Sequence, residues 1–163
     1  MKRIAPGGLR RIVSGGQTGV DRAALDAALA LGLSAGGWCP RGRRAEDGCL
    51  ARRYPLAETP SAAYAQRTEW NVRDSDGTLV LNRGTLDGGT LYTVQMALRH
   101  GRPCLVLALE ARPAPAPVRA WIARNRIRTL NIAGPRESKR RGIYGEARAM
   151  LVRLLARKDR PGR

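Results

Sequence analysis

The stretch SGGQTGVDRAALDAAL, Ser14 to Leu29, follows a short apolar run and opens into a segment whose apolar residues recur at helical spacing. Its glycines therefore stand where a strand passes into a helix. Glycine lets the backbone approach a ligand closely, and the first N–H groups of a helix have no internal partner. Together with the helix dipole, these features favour an anion. The sequence therefore predicts an anion-binding turn at Gly15, Gly16, Gln17, Thr18 and Gly19, with Asp21 in the first helical turn as a further candidate.

A second glycine-rich helix start occurs in DGGT, which spans Asp87, Gly88, Gly89 and Thr90 after the strand-like GTLVLN. Neither motif is a P-loop, because no Lys follows the last glycine, and neither is a G-x-G-x-x-G fingerprint. If the strands before the two motifs are neighbours, both turns face one ligand in the crevice between them.

Apolar periodicity predicts five strands that alternate with helices. The predicted strands are Arg11–Ser14, Leu33–Trp38, 77–82, 103–109 and 128–134. The predicted helices are Val20–Leu31, Ser61–Asp74, Thr90–Arg99, Val118–Asn125 and Ile143–Arg157. A long loop, Cys39 to Pro60, separates the second strand from the second helix. The fourth strand, PCLVLAL, has the continuous apolar character of a strand buried on both faces.

This alternation predicts an α/β fold with a doubly wound, mainly parallel five-stranded sheet and helices on both faces. The 163 residues fit a single domain, with flexible ends expected at residues 1–10 and 158–163. No apolar run approaches the ~20 residues that cross a bilayer, and the first residues are too polar for a signal peptide. We therefore expect a cytoplasmic protein without a membrane association.

The chain is strongly basic, with a net charge of +17, and 27 of its 30 basic side chains are arginines. Such a charge is typical of nucleic-acid binding, but the arginines are scattered and no recognition motif accompanies them. A solvated basic surface is the favoured interpretation, and nucleic-acid binding stays an alternative. Arginines that follow predicted strands are candidate anion clamps: Arg41, Arg43, Arg44 and Arg136. The odd count of three cysteines, without C-x-x-C, is not typical of a disulfide framework or a zinc site. Cys39 and Cys49, which lie in the long loop, are candidate exposed thiols.

Several blocks resemble the family called putative molybdenum carrier proteins, which is similar to a carrier of molybdenum cofactor. They are SGGQTGVDRAALDAAL, GGWCPRGRRAEDG, YPLAETPSAAYAQRTEWNVRDSDGTLVL, GGT and NIAGPRES. The resemblance implies a Rossmann-like fold of the group that includes lysine-decarboxylase-like phosphoribohydrolases and recombination mediators that bind single-stranded DNA. It also implies a homo-oligomer, a dimer or tetramer.

The related hydrolases carry the motif PGGxGTxxE, whose glutamate is catalytic. Aligned on TLDGGTLYT, the Gly-Thr pair falls on Gly89 and Thr90, and the glutamate position falls on Thr93. The resemblance therefore favours binding over catalysis. The polar segment from Arg67 to Asp76 is expected to form a buried, salt-bridged network that faces the crevice or a subunit interface.

Three functions stay open at this point. The favoured one is a non-catalytic carrier of a phosphorylated anionic small molecule, with molybdenum cofactor or a related pterin or nucleotide as ligand and no metal bound by protein side chains. A nucleotide-processing hydrolase would use Asp21, Glu46, Asp47 or Asp87 as its acid. The third alternative is a nucleic-acid-binding protein.

Overall fold

The computed structural model describes residues 5–156, which form nine strands and five α-helices. The strands are β1 (Arg11–Val13), β2 (Ser34–Gly36), β3 (Trp38–Cys39), β4 (Arg44–Ala45), β5 (Gly48–Cys49), β6 (Ala57–Glu58), β7 (Gly77–Asn82), β8 (Cys104–Ala108) and β9 (Thr129–Ala133). The helices are α1 (Val20–Ala30), α2 (Tyr64–Arg73), α3 (Gly88–Arg99), α4 (Pro115–Arg124) and α5 (Ile143–Leu155).

The central sheet has five strands in the order β2-β1-β9-β7-β8, and every neighbouring pair is parallel. Parallel strands need crossover connections, and the helices provide them on both faces. Helices α1 and α4 pack against α5, whereas α2 packs against α3. The predicted doubly wound α/β fold is therefore confirmed.

The main core lies between the sheet and the layer formed by α1, α4 and α5. Small residues of α1 let this helix pack closely, and the apolar stripe of α5, which includes Ala147, Leu151 and Leu154, is fully buried. A smaller cluster of Val72, Met96 and Ala97 holds α2 and α3 together on the other face. These two layers fix the positions of the turns that follow β1, β7 and β9.

Strand β9 lies between β1 and β7, the two strands that precede the glycine-rich motifs. Leu130 pairs with Ile12 of β1 on one side and with Gly77 of β7 on the other. Local periodicity does not encode strand order, and the condition that β1 and β7 are neighbours is not met. Strand β8 forms an edge of the sheet, where Val106 is 38% exposed, so its predicted burial on both faces is wrong.

The long loop between β2 and α2 is folded against the molecule. It contains a parallel pair, β3 with β6, and an antiparallel hairpin of β4 and β5. Its residues Leu50, Tyr54 and Leu56 form a buried cluster with Leu25 of α1 and with Cys39. The prediction that Cys39 is an exposed thiol is therefore wrong, whereas Cys49 is exposed.

The ends of the elements differ from their predicted positions by a few residues. Helix α4 begins at Pro115, because proline is well suited to the first turn of a helix. Ala5 and Leu9, in the segment expected to be a flexible end, are buried in the main core. Residues 1–4, Arg157 and the predicted flexible end 158–163 lie outside the described residues. Within residues 5–156, no helix combines the length and apolar character needed to span a bilayer.

Candidate functional site

A cleft of about 400 Å³ opens where the turns after β1 and β9 meet the starts of α2 and α3. Its volume is within the range typical of small-molecule sites, about 300–1,000 Å³. The predicted site residues that line it are Gly15, Gln17, Asp21, Gly88, Gly89, Thr90 and Arg136. The two glycine-rich motifs therefore meet at one cleft, although β9 lies between their strands.

The start of α3 presents open backbone to this cleft. Asp87 stands at the N-cap position, but its side chain makes no capping hydrogen bond. A Cβ added to Gly89 would meet no atom within 4 Å, and one added to Gly88 would lie 2.7 Å from Lys139 Nζ. The first N–H groups of a helix attract anions, so this turn combines accessible donors with an adjacent cation.

Asp87 itself does not line the cleft. Its carboxylate lies 2.8 Å from Lys139 Nζ and 3.6 Å from Arg140 Nη2. The hydrogen bond from Lys139 lowers the pKa of the Asp87 carboxyl below its ordinary value. Asp87 therefore positions the two cations beside the start of α3, rather than contacting the cleft as predicted.

In the turn before α1, the main-chain N–H groups donate to oxygen atoms of the protein itself. The Gln17 N–H donates to Asp21 Oδ2 over 3.3 Å, and the Thr18 N–H donates to Gln17 Oε1 over 3.0 Å. The Val20 N–H donates to the carbonyl oxygen of Pro135 over 3.3 Å. The prediction that the N–H groups of Gln17 and Thr18 point into the crevice is therefore wrong, because internal oxygens already accept their hydrogen bonds.

Gly16 and Gly19 face the protein rather than the cleft. A Cβ on Gly16 would lie 2.6 Å from Leu50 Cδ1 and 2.8 Å from Leu56 Cδ1. A Cβ on Gly19 would lie 2.4 Å from the Pro135 carbonyl oxygen. Both glycines have positive φ, +81° and +76°. Their predicted placement at the crevice is corrected: they allow the long loop and the turn after β9 to pack against the start of α1.

The Thr18 hydroxyl is also engaged within the protein. It donates to a carboxylate oxygen of Glu46 and accepts from the Glu137 N–H over 3.1 Å. Thr18 lines a second, more open depression together with Asp26 and Tyr144, outside the main cleft. Thr18, which was predicted to belong to the anion-binding turn, therefore does not line the main cleft.

A buried ion pair forms part of the wall of the cleft. Arg67 Nη1 of α2 lies 3.3 Å from Asp21 Oδ2 and donates to the Gly15 carbonyl oxygen over 2.8 Å. Burial raises the pKa of the Asp21 carboxyl, although the Arg67 guanidinium opposes the shift. The nearby Asn71 side chain bonds both the N–H and the carbonyl oxygen of Trp38. The predicted buried network on α2 is confirmed at Arg67 and Asn71, which line the cleft.

Three of the four candidate arginine clamps lie elsewhere. Arg43, whose φ is +54°, donates to four main-chain carbonyls of its own loop, those of Leu50, Ala51, Tyr54 and Leu56. Arg44 donates to the Ala62 carbonyl oxygen over 3.3 Å, and Arg41 is exposed outside the cleft lining. Only Arg136 lines the cleft, and its Nε lies 3.5 Å from Glu46 Oε2.

Sequence reasoning did not single out several residues that line the cleft. They are Tyr64, Thr68, Tyr92, Asn131 and Lys139. Lys139 lies in the basic run after β9, and the two tyrosines lie near the starts of α2 and α3. Their positions after a strand or near a helix start could have identified these residues from the sequence. Thr93, at the glutamate position of the hydrolase motif, also lines the cleft, and its hydroxyl donates to the Gly89 carbonyl oxygen over 2.9 Å.

Carboxylates and other metal-ligating side chains are sparse at this site. Of the four acids considered for hydrolysis, Asp21 lines the cleft, while Glu46, Asp47 and Asp87 are in ion pairs beside it. In residues 5–156 no three His, Cys, Asp or Glu side chains are grouped so as to hold a metal ion. The chemistry of the cleft is that of hydrogen-bond donors, cations and two aromatic rings.

Comparison with known proteins identifies the family of the chain. The model of the Circularly permutated YpsA SLOG family matches residues 12–155. A crystal structure of a "putative molybdenum carrier protein" from Syntrophus aciditrophicus SB is 42% identical, with a TM-score of 0.89 over 93% of this chain and 98% of that chain. A comparison with curated proteins gives no match. The chain belongs to the Circularly permutated YpsA SLOG family and is a relative of the proteins called putative molybdenum carriers.

Proposed function

We propose that this protein binds and carries a phosphorylated anionic small molecule in the cleft, without transforming it. The observation that carries the proposal is the open start of α3, where Gly88 and Gly89 present main-chain donors beside Lys139. A phosphate at this position would accept hydrogen bonds from the helix N-terminus and gain from the positive end of its dipole.

The rest of the cleft suits a flat, polar ring system. Tyr64 and Tyr92 supply aromatic faces, and Arg67 lies over the Tyr64 ring at 5.2 Å from its centroid. Thr68 of α2 and Asn131 of β9 are further polar residues of the cleft lining. A phosphorylated pterin or a nucleotide has this combination of a planar ring and a terminal anion, and its recognition requires no protein-bound metal.

Molybdenum cofactor is the proposed ligand within this class. The solved relative is named a putative molybdenum carrier protein, which supports a molybdenum-bearing ligand here. The metal of that cofactor is held by the dithiolene of its own pterin, so the protein has only to hold the phosphate, the ring and the oxo groups. The neutral Thr93 at the glutamate position of the related hydrolases favours carriage over hydrolysis.

Calorimetric titration with molybdenum cofactor and with a phosphorylated pterin tests the proposal. The informative variant is Gly89→Asp, because it places a negative charge at the proposed phosphate position, where a side chain has room. Gly89→Asn has the same size without the charge and is the matched control. We expect Gly89→Asp to weaken binding by at least about tenfold relative to Gly89→Asn. Equal affinities for the two variants, or no binding by the unaltered protein, contradict the proposal.

A nucleotide hydrolase is the second candidate, and one observation favours it. Asp21 is a buried carboxyl in the cleft with a raised pKa, a combination that is common among catalytic acids. Release of free base from a panel of nucleoside monophosphates, abolished in Asp21→Asn, would support this candidate. Absence of base release at high protein concentration would remove it.

We also propose that the protein is a homo-oligomer, either a dimer or a tetramer. Part of its support is apolar exposure near one edge of the sheet, where Leu98 of α3 is 84% exposed and Val106 of β8 is 38% exposed. Light scattering during gel filtration measures the mass directly, and Leu98→Lys is expected to lower it if this surface contributes. A monomeric mass for the unaltered protein would contradict the proposal.

A further inference from the structure

The Glu46 carboxylate, at the tip of the β4–β5 hairpin, lies in a cradle of donors from two other segments. Thr18 Oγ1 and the Ser138 N–H donate to Oε1, the latter over 3.1 Å. The Ser138 hydroxyl donates to Oε2 over 2.5 Å, and Arg136 Nε lies 3.5 Å from the same oxygen. Oε1 thus accepts two hydrogen bonds, whereas Oε2 accepts one and forms an ion pair with Arg136.

This set of donors has the composition of an oxyanion site. Hydroxyls, a main-chain N–H and a guanidinium are the groups with which proteins bind phosphate, and hydrogen bonds to an ionised acceptor are the stronger ones. Partial desolvation raises the pKa of Glu46, but the hydrogen bonds from Ser138 and Thr18 and the charge of Arg136 lower it overall. Glu46 therefore stands in the cradle as an ionised group, as a bound anion would.

Other contacts hold the hairpin in place without the Glu46 carboxylate. The neighbouring Asp47 forms a bidentate ion pair with Arg22, whose Nη1 and Nη2 each lie 3.0 Å from a carboxylate oxygen. The main-chain N–H of Glu46 also donates to Gln17 Oε1 over 2.8 Å. The carboxylate of Glu46 is thus free to leave the cradle while the hairpin stays attached.

The cradle adjoins the main cleft. Arg136 belongs to both, since it lines the cleft and contacts Glu46. Gln17 also lines the cleft and accepts the hydrogen bond from the main chain of Glu46. An anionic group that moves along the cleft from the start of α3 therefore meets a cation that is already shared with the cradle.

We propose that Thr18, Ser138 and Arg136 form a second oxyanion site beside the cleft, which Glu46 fills as an internal competitor. A tetrahedral oxyanion group of a ligand takes the place of the Glu46 carboxylate and accepts the same hydrogen bonds. In the absence of ligand, the Glu46 carboxylate accepts the hydrogen bonds of these donors. A ligand anion with more oxygen atoms displaces it.

Phosphate titration followed by amide NMR of the full chain tests this proposal, with inorganic phosphate as the probe. The Ser138 amide signal reports on the cradle, and the Gly89 amide signal reports separately on the start of α3. We expect Glu46→Ala to tighten phosphate binding at Ser138 by about tenfold, because the competing carboxylate is gone. The double variant Glu46→Ala/Ser138→Ala should lose most of this gain, as judged from the Arg136 and Glu137 amide signals.

Asp47→Asn is the matched control, because it removes one negative charge from the same hairpin outside the cradle. The ion pair with Arg22 is lost in this variant, but the Glu46 N–H still donates to Gln17 Oε1, so phosphate binding in the cradle should change less than about twofold. Glu46→Gln keeps the size of the side chain and should give a smaller gain than Glu46→Ala. It also serves as the test variant if Glu46→Ala does not fold.

A structural role alone predicts the opposite pattern, in which the Glu46 variants lose stability without any gain in phosphate binding. The proposal is overturned if neither Glu46 variant binds phosphate more tightly than Asp47→Asn, or if the gain survives in the double variant. The two amide signals are read separately. A Gly89 amide signal that does not shift on addition of phosphate would count against the proposed carrier site and leave the result for the cradle unaffected.

Discussion

The two glycine-rich turns, one before α1 and one before α3, have similar positions in the sheet but differ in how their main-chain N–H groups are bonded. Both follow parallel strands of one sheet, and both bring residues to the same cleft. Before α1, Asp21, Gln17 and the Pro135 carbonyl oxygen accept the N–H hydrogen bonds of the turn. Before α3, the Asp87 side chain makes no capping bond and instead pairs with Lys139.

We infer from this difference that a glycine-rich turn can bind an anion only where the chain leaves the main-chain donors of the turn unsatisfied. Buried main-chain N–H groups need acceptors, and a carboxylate in the first helical turn supplies one as well as a phosphate does. In the α1 turn, the glycines serve close packing of the chain on itself. In the α3 turn, the glycines leave space on the cleft side.

Removal of Arg67 should have the largest effect, because it leaves the Asp21 charge of the α1 turn buried without its partner. We expect Arg67→Leu to reduce the free energy of unfolding by about 3–5 kcal/mol, the usual cost of breaking a buried ion pair. Urea denaturation followed by circular dichroism measures the change. The double variant Arg67→Leu/Asp21→Asn, which removes both charges, should recover part of the loss; no recovery would show that the pair is not the cause.

The next largest effect should come from Gly16→Val, which tests whether the α1 turn is a packing element. The new side chain would collide with Leu50 and Leu56 at a positive φ. Strain and overpacking together should lower the free energy of unfolding by roughly 2–4 kcal/mol. Gly89→Val in the α3 turn is the matched substitution and should change stability by less than about 1 kcal/mol, because the site is open. Similar losses for both variants would remove the distinction between the turns.

A smaller effect should appear in the pH dependence of stability. The native pKa of Asp21 is raised above its ordinary value of 3.8 because the carboxyl is buried. The native state therefore holds this proton to higher pH than the unfolded state, and the contribution of Asp21 to stability decreases as the pH rises through this window. The unfolding free energy of wild type minus that of Asp21→Asn should decline as the pH rises above 3.8. An increase over that range would contradict the raised pKa.

The smallest effect is expected for Thr18→Val, which removes the hydroxyl that bonds Glu46 and Glu137. Loss of these partly exposed hydrogen bonds should cost about 1 kcal/mol of stability. Binding of phosphate at the start of α3, measured from the Gly89 amide signal, should not change. A loss of that binding would show that Thr18 takes part in the α3 site.

The fold was predictable because its elements are encoded locally. The apolar stripe of α5 and the continuous apolar run of β7 identify a helix and a buried strand without knowledge of their neighbours. The place of β9 between β1 and β7 was not predictable, because strand order depends on packing between segments far apart in the chain. The start of α3 was predictable for the same local reason as the helices.

The packing role of the α1 turn was not predictable, because it depends on contacts between segments that are distant in the sequence. Leu50 and Leu56 reach Gly16 only because the long loop folds back over α1. Arg43, which looked like an anion clamp, instead organises that loop by bonding its carbonyl oxygens. One local signal was available: Asp21 lies in the first turn of α1, where a carboxylate can accept a hydrogen bond from a main-chain N–H just before the helix, here that of Gln17.

A crystal structure of the full chain grown with inorganic phosphate tests most directly whether the α3 turn, and not the α1 turn, binds an anion. If the α3 turn is the anion site, phosphate oxygens will lie about 3 Å from the N–H groups of Gly88 and Gly89, with Lys139 as the adjacent cation. The hydrogen bonds of Gln17 and Thr18 to their internal acceptors will be unchanged. Phosphate bound at Gln17 and Thr18, with none at the start of α3, would contradict the account.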